Sequence, residues 1–181
     1  TLFDLYLDYE NILWVSIWNK GIDYANVNKA SFQVILNKNK SGIENSKIDY
    51  RAVTIDKIGD YWFATDNGLT VTDNNFNIKK SYTATSTGNT IRSNRLTYLL
   101  YDSLQSKIWI SSIGGGIDYY DEKNNRFYPV KSQPNFPEIN YAYFIKKLKN
   151  GKVICSVDSG LVEISPSKSG FELSKSEYLK N

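Results

Sequence analysis

The sequence predicts an all-β protein, an array of four four-stranded antiparallel blades of the β-propeller type. Three observations predict it. A unit of about 47 residues recurs four times, each unit alternates apolar and polar residues over strand-length runs, and turn residues return at fixed offsets.

Two independent markers carry the repeat. Gly21, Gly68, Gly116 and Gly160 lie 47, 48 and 44 residues apart, and Trp14, Trp62 and Trp109 lie 48 and 47 apart. Each unit opens with a short apolar strand that closes on an aspartate, at Asp8, Asp56 and Asp102. A tight turn follows, in which the Asp side chain can accept from backbone N–H groups and Gly or Asn tolerates positive φ. The Trp strand comes next, its indole expected between neighbouring units. A second turn ends on the repeat glycine, a third strand runs to a turn at Asp73 or Asp121, and a fourth strand holds Phe32, Phe76, Phe127 or Phe171. The fourth unit departs from the pattern: Ile154 replaces Trp, and Lys147 or Leu148 stands where Asp is expected.

These spacings place approximate blades at 1–37, 48–82, 95–130 and 141–175 of one propeller segment spanning 1–181. The polar stretches 38–47, 83–94 and 131–140 read as links between blades. No strand is left over to close a ring by sharing a blade, so a partial or open propeller is expected rather than a closed four-blade ring. Open sheet edges invite pairing, which makes a homodimer through those edges an expected mode of assembly.

Composition narrows the chemistry. Aromatics make up 14% of the chain, which suits half-buried strands. A net charge of +3, with no basic block, gives no reason to expect nucleic acid. No apolar run is long enough for a membrane helix, so no membrane contact by this segment is expected. The chain starts at Thr1 and has no Met, which reads as a piece of a longer protein. The one cysteine, Cys155, sits in a strand-like run and reads as a small buried hydrophobe.

The motif Asp-x-x-Gly-x-x-Trp-x-x-Thr-x-x-Gly-Leu over residues 56–69 resembles the two-component-regulator propeller repeat. That repeat builds the periplasmic sensor region of hybrid histidine kinases of the Bacteroidetes type, and the resemblance extends over essentially the whole chain. It implies a non-enzymatic, periplasmic, ligand-sensing segment that responds to an oligosaccharide. The other blades and domains of a parent chain would be its partners, and the kinase would lie elsewhere in that parent.

Catalysis and metals find little support. With no His, one Cys and no ligand spacing, zinc is poorly supported, and Ser-His or Cys-His nucleophiles and the His base of the similar streptogramin lyases are ruled out within this chain. The turn from Asp56 to Trp62 resembles a sialidase turn. The arginine cluster such an enzyme needs is not apparent among Arg51, Arg92, Arg95 and Arg126. Asp73 and Asp121 offer oxygens to calcium but read more simply as Asp turns. No cofactor, catalytic residue or metal ligand is assigned. A propeller lyase or a paired-carboxylate glycoside hydrolase is a remote alternative.

Binding is the better expectation. By analogy with WD-repeat propellers, the turns between second and third strands share one face with the inter-blade links. That face would carry Trp18, Asn19 and Lys20, then Asp66 and Asn67, with Arg92 and Arg95 from a link. Trp18 breaks the repeat, and a Trp beside Asn and Lys suits stacking on a sugar ring. A structural or protein-interaction scaffold, with Trp18 capping its own blade, is the alternative.

Overall fold

A computed structural model describes residues 2–17, 21–28, 32–36, 48–85, 88–168 and 170–176, and for residues 2, 3 and 32–36 it describes the backbone alone. Four sheets follow one another in chain order. The first contains β1 (Leu2–Leu7), β2 (Ile12–Ile17), β3 (Gly21–Asn26) and β4 (Phe32–Leu36). The second contains β5 (Tyr50–Ile55), β6 (Tyr61–Thr65), β7 (Gly68–Thr72) and β8 (Ile78–Tyr82). The third contains β9 (Leu96–Asp102), β10 (Lys107–Ser112), β11 (Gly116–Asp121) and β12 (Arg126–Pro129). The fourth contains β14 (Ala142–Lys147), β15 (Val153–Val157), β16 (Gly160–Ser167) and β17 (Gly170–Lys175).

A two-residue strand, β13 (Lys131–Ser132), crosses from the third blade and pairs parallel to β17. The link 131–140, expected to join the third and fourth blades, thus begins by covering the outer edge of the fourth sheet. Phe76 departs from the expectation as well. It lies in the turn before β8 at φ 64°, where it stacks 5.1 Å from Tyr61.

The sheets stack face to face. Trp14 packs 4.7 Å from Tyr61 of the second sheet, Trp62 packs 4.9 Å from Tyr120 of the third, and Trp109 packs 4.8 Å from Phe171 of the fourth. All three indoles are buried. Large rigid aromatics fill the wedge between twisted sheets, and this is where most of the apolar area leaves water. The first strands β1, β5, β9 and β14 pack in that order, and no comparable packing returns from β14 to β1 among the described residues. The array is open.

The local turns follow the aspartates. Asp8 Oδ1 accepts from the N–H groups of Glu10 and Ile12, and Asp56 Oδ1 accepts from those of Ile58 and Asp60. Their second oxygens accept from the indole N–H of Trp14 at 2.9 Å and of Trp62 at 2.8 Å. One carboxylate therefore ties the turn to the buried ring six residues on. In the fourth blade Leu148, not Lys147, takes the Asp place, because its N–H and carbonyl make the same backbone bonds, to Lys152 and Gly151.

Candidate functional site

The repeat glycines bring turns and links onto one face. Gly68 donates to the carbonyl of Asn94 at 2.8 Å, Ile113 to that of Arg95 at 2.9 Å, and Gly114 to that of Asn140 at 2.7 Å. Gly68 and Gly116 have φ of 107° and 67°, and a Cβ on either would sit 2.3 and 2.1 Å from the carbonyl oxygens of Tyr82 and Ile139. Only glycine allows this approach.

On that face, where the first strands of the second, third and fourth blades converge, lies a cleft of about 210 Å³ lined by Arg51, Thr97, Ile113, Tyr143 and Phe144. Its two aromatics are solvent-exposed, and Phe144 stands 5.4 Å from the ring of Tyr98. The cleft wall is pinned from behind. The Thr97 hydroxyl lies 2.7 Å from the Ala142 carbonyl and 2.8 Å from the Ser111 hydroxyl, and Ser111 donates to the Tyr143 carbonyl at 3.0 Å. The Phe144 N–H donates to Ser156 Oγ at 3.2 Å. Two hydroxyls on the third blade therefore fix the strand that presents Tyr143 and Phe144.

Partial burial perturbs titration around Tyr98, the ring beside Phe144. Burial pushes the Tyr98 phenol up, and the charges of Asp4 and Tyr6 push it further. Burial likewise raises Asp4, against the N–H of Leu5 that favours its ionised form. A cleft with two open aromatic faces, a hydroxyl and one guanidinium is chemically suited to stacking on a ring and bonding its polar edge.

Of the residues expected from sequence, Asp66, Asn67, Arg92 and Arg95 are not among those that line this cleft. Trp18, Asn19 and Lys20 lie outside the described residues. Asp66 Oδ1 accepts from the N–H of Asp49 at 3.0 Å, so this carboxylate holds the start of the second blade. Asn67 is exposed on the adjoining turn, with its N–H donated to Thr65 Oγ1. Arg92 is clamped onto the third blade. Its Nε meets Asp118 Oδ1 at 2.6 Å and its Nη2 donates to the Ile117 carbonyl at 2.8 Å. Burial raises the Asp118 carboxyl even though Arg92 pulls it down. Arg95 is exposed on the same link. Tyr143 and Phe144 were not singled out by the sequence reading, although three aromatics in residues 141–144 at the start of an inner strand are a usable signal. Asp73 Oδ1 accepts from the N–H groups of Asn75 and Asn77, and Asp121 Oδ1 from those of Lys123 and Asn124, so both work as turn carboxylates. Among the described residues no group of three metal-ligating side chains is found.

No family model and no curated protein matches the chain. Solved structures do. The extracellular domain of the hybrid two-component system BT3049 from B. thetaiotaomicron is similar at 21% identity and TM-score 0.72, over 97% of this chain and 23% of that one. The extracellular domain of BT4673 from the same organism is similar at 19% identity and TM-score 0.65, over 96% of this chain and 24% of that one. A streptogramin B lyase is similar at 13% identity and TM-score 0.67, over 97% of this chain and 55% of that one. The chain thus spans about a quarter of the length of the two-component extracellular domains it resembles. It has the propeller-blade fold found in the extracellular domains of Bacteroides hybrid two-component systems, the group to which its repeat motif pointed.

Proposed function

We propose that this chain is a ligand-sensing propeller segment from the extracytoplasmic region of a hybrid two-component sensor, and that an oligosaccharide is its ligand. The observation that carries the reading is the aromatic cleft of Arg51, Thr97, Tyr143 and Phe144, on the turn-and-link face of a fold shared with such extracellular domains. A sugar ring stacks on Tyr143 or Phe144, its hydroxyls meet Thr97 and Arg51, and Trp18, Asn19 and Lys20 are kept as further candidates for ligand contact. Binding is chemistry-free. The ligand stabilises one arrangement of the sensor, and the population shift is transmitted to kinase parts carried elsewhere in the parent. Among the described residues no helix is long and apolar enough to cross a membrane.

Intrinsic tryptophan fluorescence and calorimetry against plant and host oligosaccharides test this. A saturable response to one glycan class, weakened about tenfold or more by Tyr143→Ala and by Phe144→Ala, is the expected result, since a stacking contact contributes about 1–2 kcal/mol. Loss on Trp18→Ala alone would move the site to the first blade's turn. A flat response from the folded chain to every glycan would leave the scaffold reading in its place, which the structural roles of Arg92 and Asp66 favour.

A further inference from the structure

A second cleft, of about 260 Å³, lies on the turn-and-link face, where the third blade meets the link to the fourth. Arg92, Lys131, Gln133, Phe136, Glu138 and Ile139 are among the residues that line it. The link is held in shape by several bonds. Lys131 and Ser132 pair with β17, the Gln133 N–H donates to the Leu173 carbonyl at 3.1 Å, and the Phe136 N–H donates to the Gln133 carbonyl at 3.0 Å. Ser132 Oγ donates to the Pro137 carbonyl at 2.7 Å. Phe136 is half-buried against the core between the third and fourth sheets.

The fold leaves cationic donors unused in this cleft. The clamp on Arg92 takes Nε and Nη2, and Nη1 has no partner among the described residues. Asp118, which neutralises the guanidinium, is 3% exposed and has both oxygens on Arg92. Lys131 is exposed and enters no ion pair among the described residues, although Glu172 stands across from it on β17. Glu138 is the carboxylate that lines the cleft, and it too is exposed and outside those ion pairs.

The turn from β10 to β11 separates this cleft from the aromatic one. Ile113 lines the aromatic cleft. Gly116 adjoins the other, since a Cβ there would come 2.1 Å from the Ile139 carbonyl oxygen and 3.7 Å from Arg92 Nη2. The exposed tip of this turn is Gly114, whereas the corresponding turns of the second and fourth blades expose Asn67 and Ser159. Gly114 therefore puts no side chain between the two clefts.

We infer that the second cleft is a subsite for an anionic sugar unit, uronate or sulfated, of a glycan whose other units cross Gly114 to stack on Tyr143 and Phe144. This rests on the oligosaccharide reading above and adds the charge of the ligand. The Lys131 ammonium and Arg92 Nη1 donate to the anion, the stronger kind of hydrogen bond. Gln133 meets hydroxyls, and the Phe136 ring flanks the sugar. Glu138 works against the anion, which gives the charge a sign that can be tested.

Calorimetry on the chain with paired probes tests the inference: oligogalacturonate against its methyl ester, and a sulfated galactan oligomer against the desulfated one. The charged member of one pair is expected to bind about tenfold tighter than its neutral counterpart, and the pair that does so names the anion. Lys131→Gln removes this preference and Glu138→Gln enlarges it, while Tyr143→Ala weakens both members of the pair alike. Lys131 has no ion pair to lose, so Lys131→Gln keeps the thermal midpoint of the wild type, and Glu138→Gln reads the same charge from a second side chain. Equal binding of charged and neutral members overturns the inference and leaves the oligosaccharide reading standing. A preference that survives Lys131→Gln undiminished also overturns it, because the anion then sits elsewhere. Binding of none of the four probes overturns it as well, and a flat response to every other glycan overturns the oligosaccharide reading with it.

Discussion

Lys147 Nζ on the fourth blade sits 2.5 Å from Asp102 Oδ1 on the third, and the indole N–H of Trp109 has no hydrogen-bond partner among the described residues. The two facts have one cause. The turn from Asp102 to Lys107 is one residue longer than the turn from Asp8 to Ile12, although both pairs hold the same register. The longer turn takes Asp102 into bonds with the N–H of Leu104 and the side chain of Gln105, and the carboxylate no longer meets the ring. An ammonium from the next blade neutralises it instead.

Asp102 is 1% exposed and Lys147 22%, so removing the cation strands a buried charge. Lys147→Ala is expected to cost about 3 kcal/mol of stability, the range of a broken buried pair. Lys152→Ala, whose partner Glu163 lies at a wetter site, is expected to cost less than about 1 kcal/mol. Urea unfolding of the two variants measures the difference, and equal losses would show that Asp102 is compensated by its turn alone.

The two indoles predict a second contrast. Trp62→Phe strips Asp56 Oδ2 of its N–H donor, adding about 1–3 kcal/mol to the loss of ring volume. Trp109→Phe removes a buried donor that is already unpartnered, so that added cost is absent. Denaturant midpoints are expected to fall further for Trp62→Phe. The reverse order would mean that a water satisfies Trp109.

Glycine substitutions separate crowding from backbone strain. Gly59 and Gly68 both have positive φ, at 87° and 107°. A Cβ on Gly59 meets nothing within 4 Å, while one on Gly68 would meet the Tyr82 carbonyl oxygen at 2.3 Å. Gly59→Ala therefore costs about 1 kcal/mol of strain, and Gly68→Ala several times that, because the end of β8 must move. Thermal unfolding of both variants is the check.

The blades were legible because each is specified by local chemistry that repeats. Asp56, Gly59, Trp62 and Gly68 fix a turn, a buried ring and a close approach within thirteen residues, and the eye finds the same set elsewhere. The open array was legible for a similar reason, in that no strand remained to share. Less legible was the place of Phe76, since a ring in a turn and a ring in a strand look alike in sequence. The cleft was harder still. Arg51, Thr97 and Tyr143 belong to three different blades, and only the packing of β5, β9 and β14 brings them together. Arg92 looked available because its partner Asp118 is 26 residues away on another strand.

Lys107 and Asp121 give a prediction in pH. They face each other at 3.2 Å across β10 and β11, 14% and 11% exposed. Burial alone would raise the Asp121 carboxyl, but Lys107 and the N–H groups of Lys123 and Asn124 outweigh it, and the carboxyl lies below its ordinary 3.8. A carboxyl lowered on folding contributes stability above its unfolded value and loses it as pH falls through the folded one. Lys107→Ala leaves Asp121 with burial and no cation, so its ionised form becomes unfavourable. The stability gap between wild type and Lys107→Ala is therefore expected to be widest near neutrality and to narrow below about pH 4, as Asp121 takes up its proton in both proteins. A remainder persists at every pH, because Lys107 also lies 5.6 Å over the ring of Tyr119 and 5.8 Å over that of Phe171. Urea midpoints measured between pH 3 and 7 decide it, since a gap that does not change with pH would assign the whole of Lys107's contribution to the rings and none to Asp121.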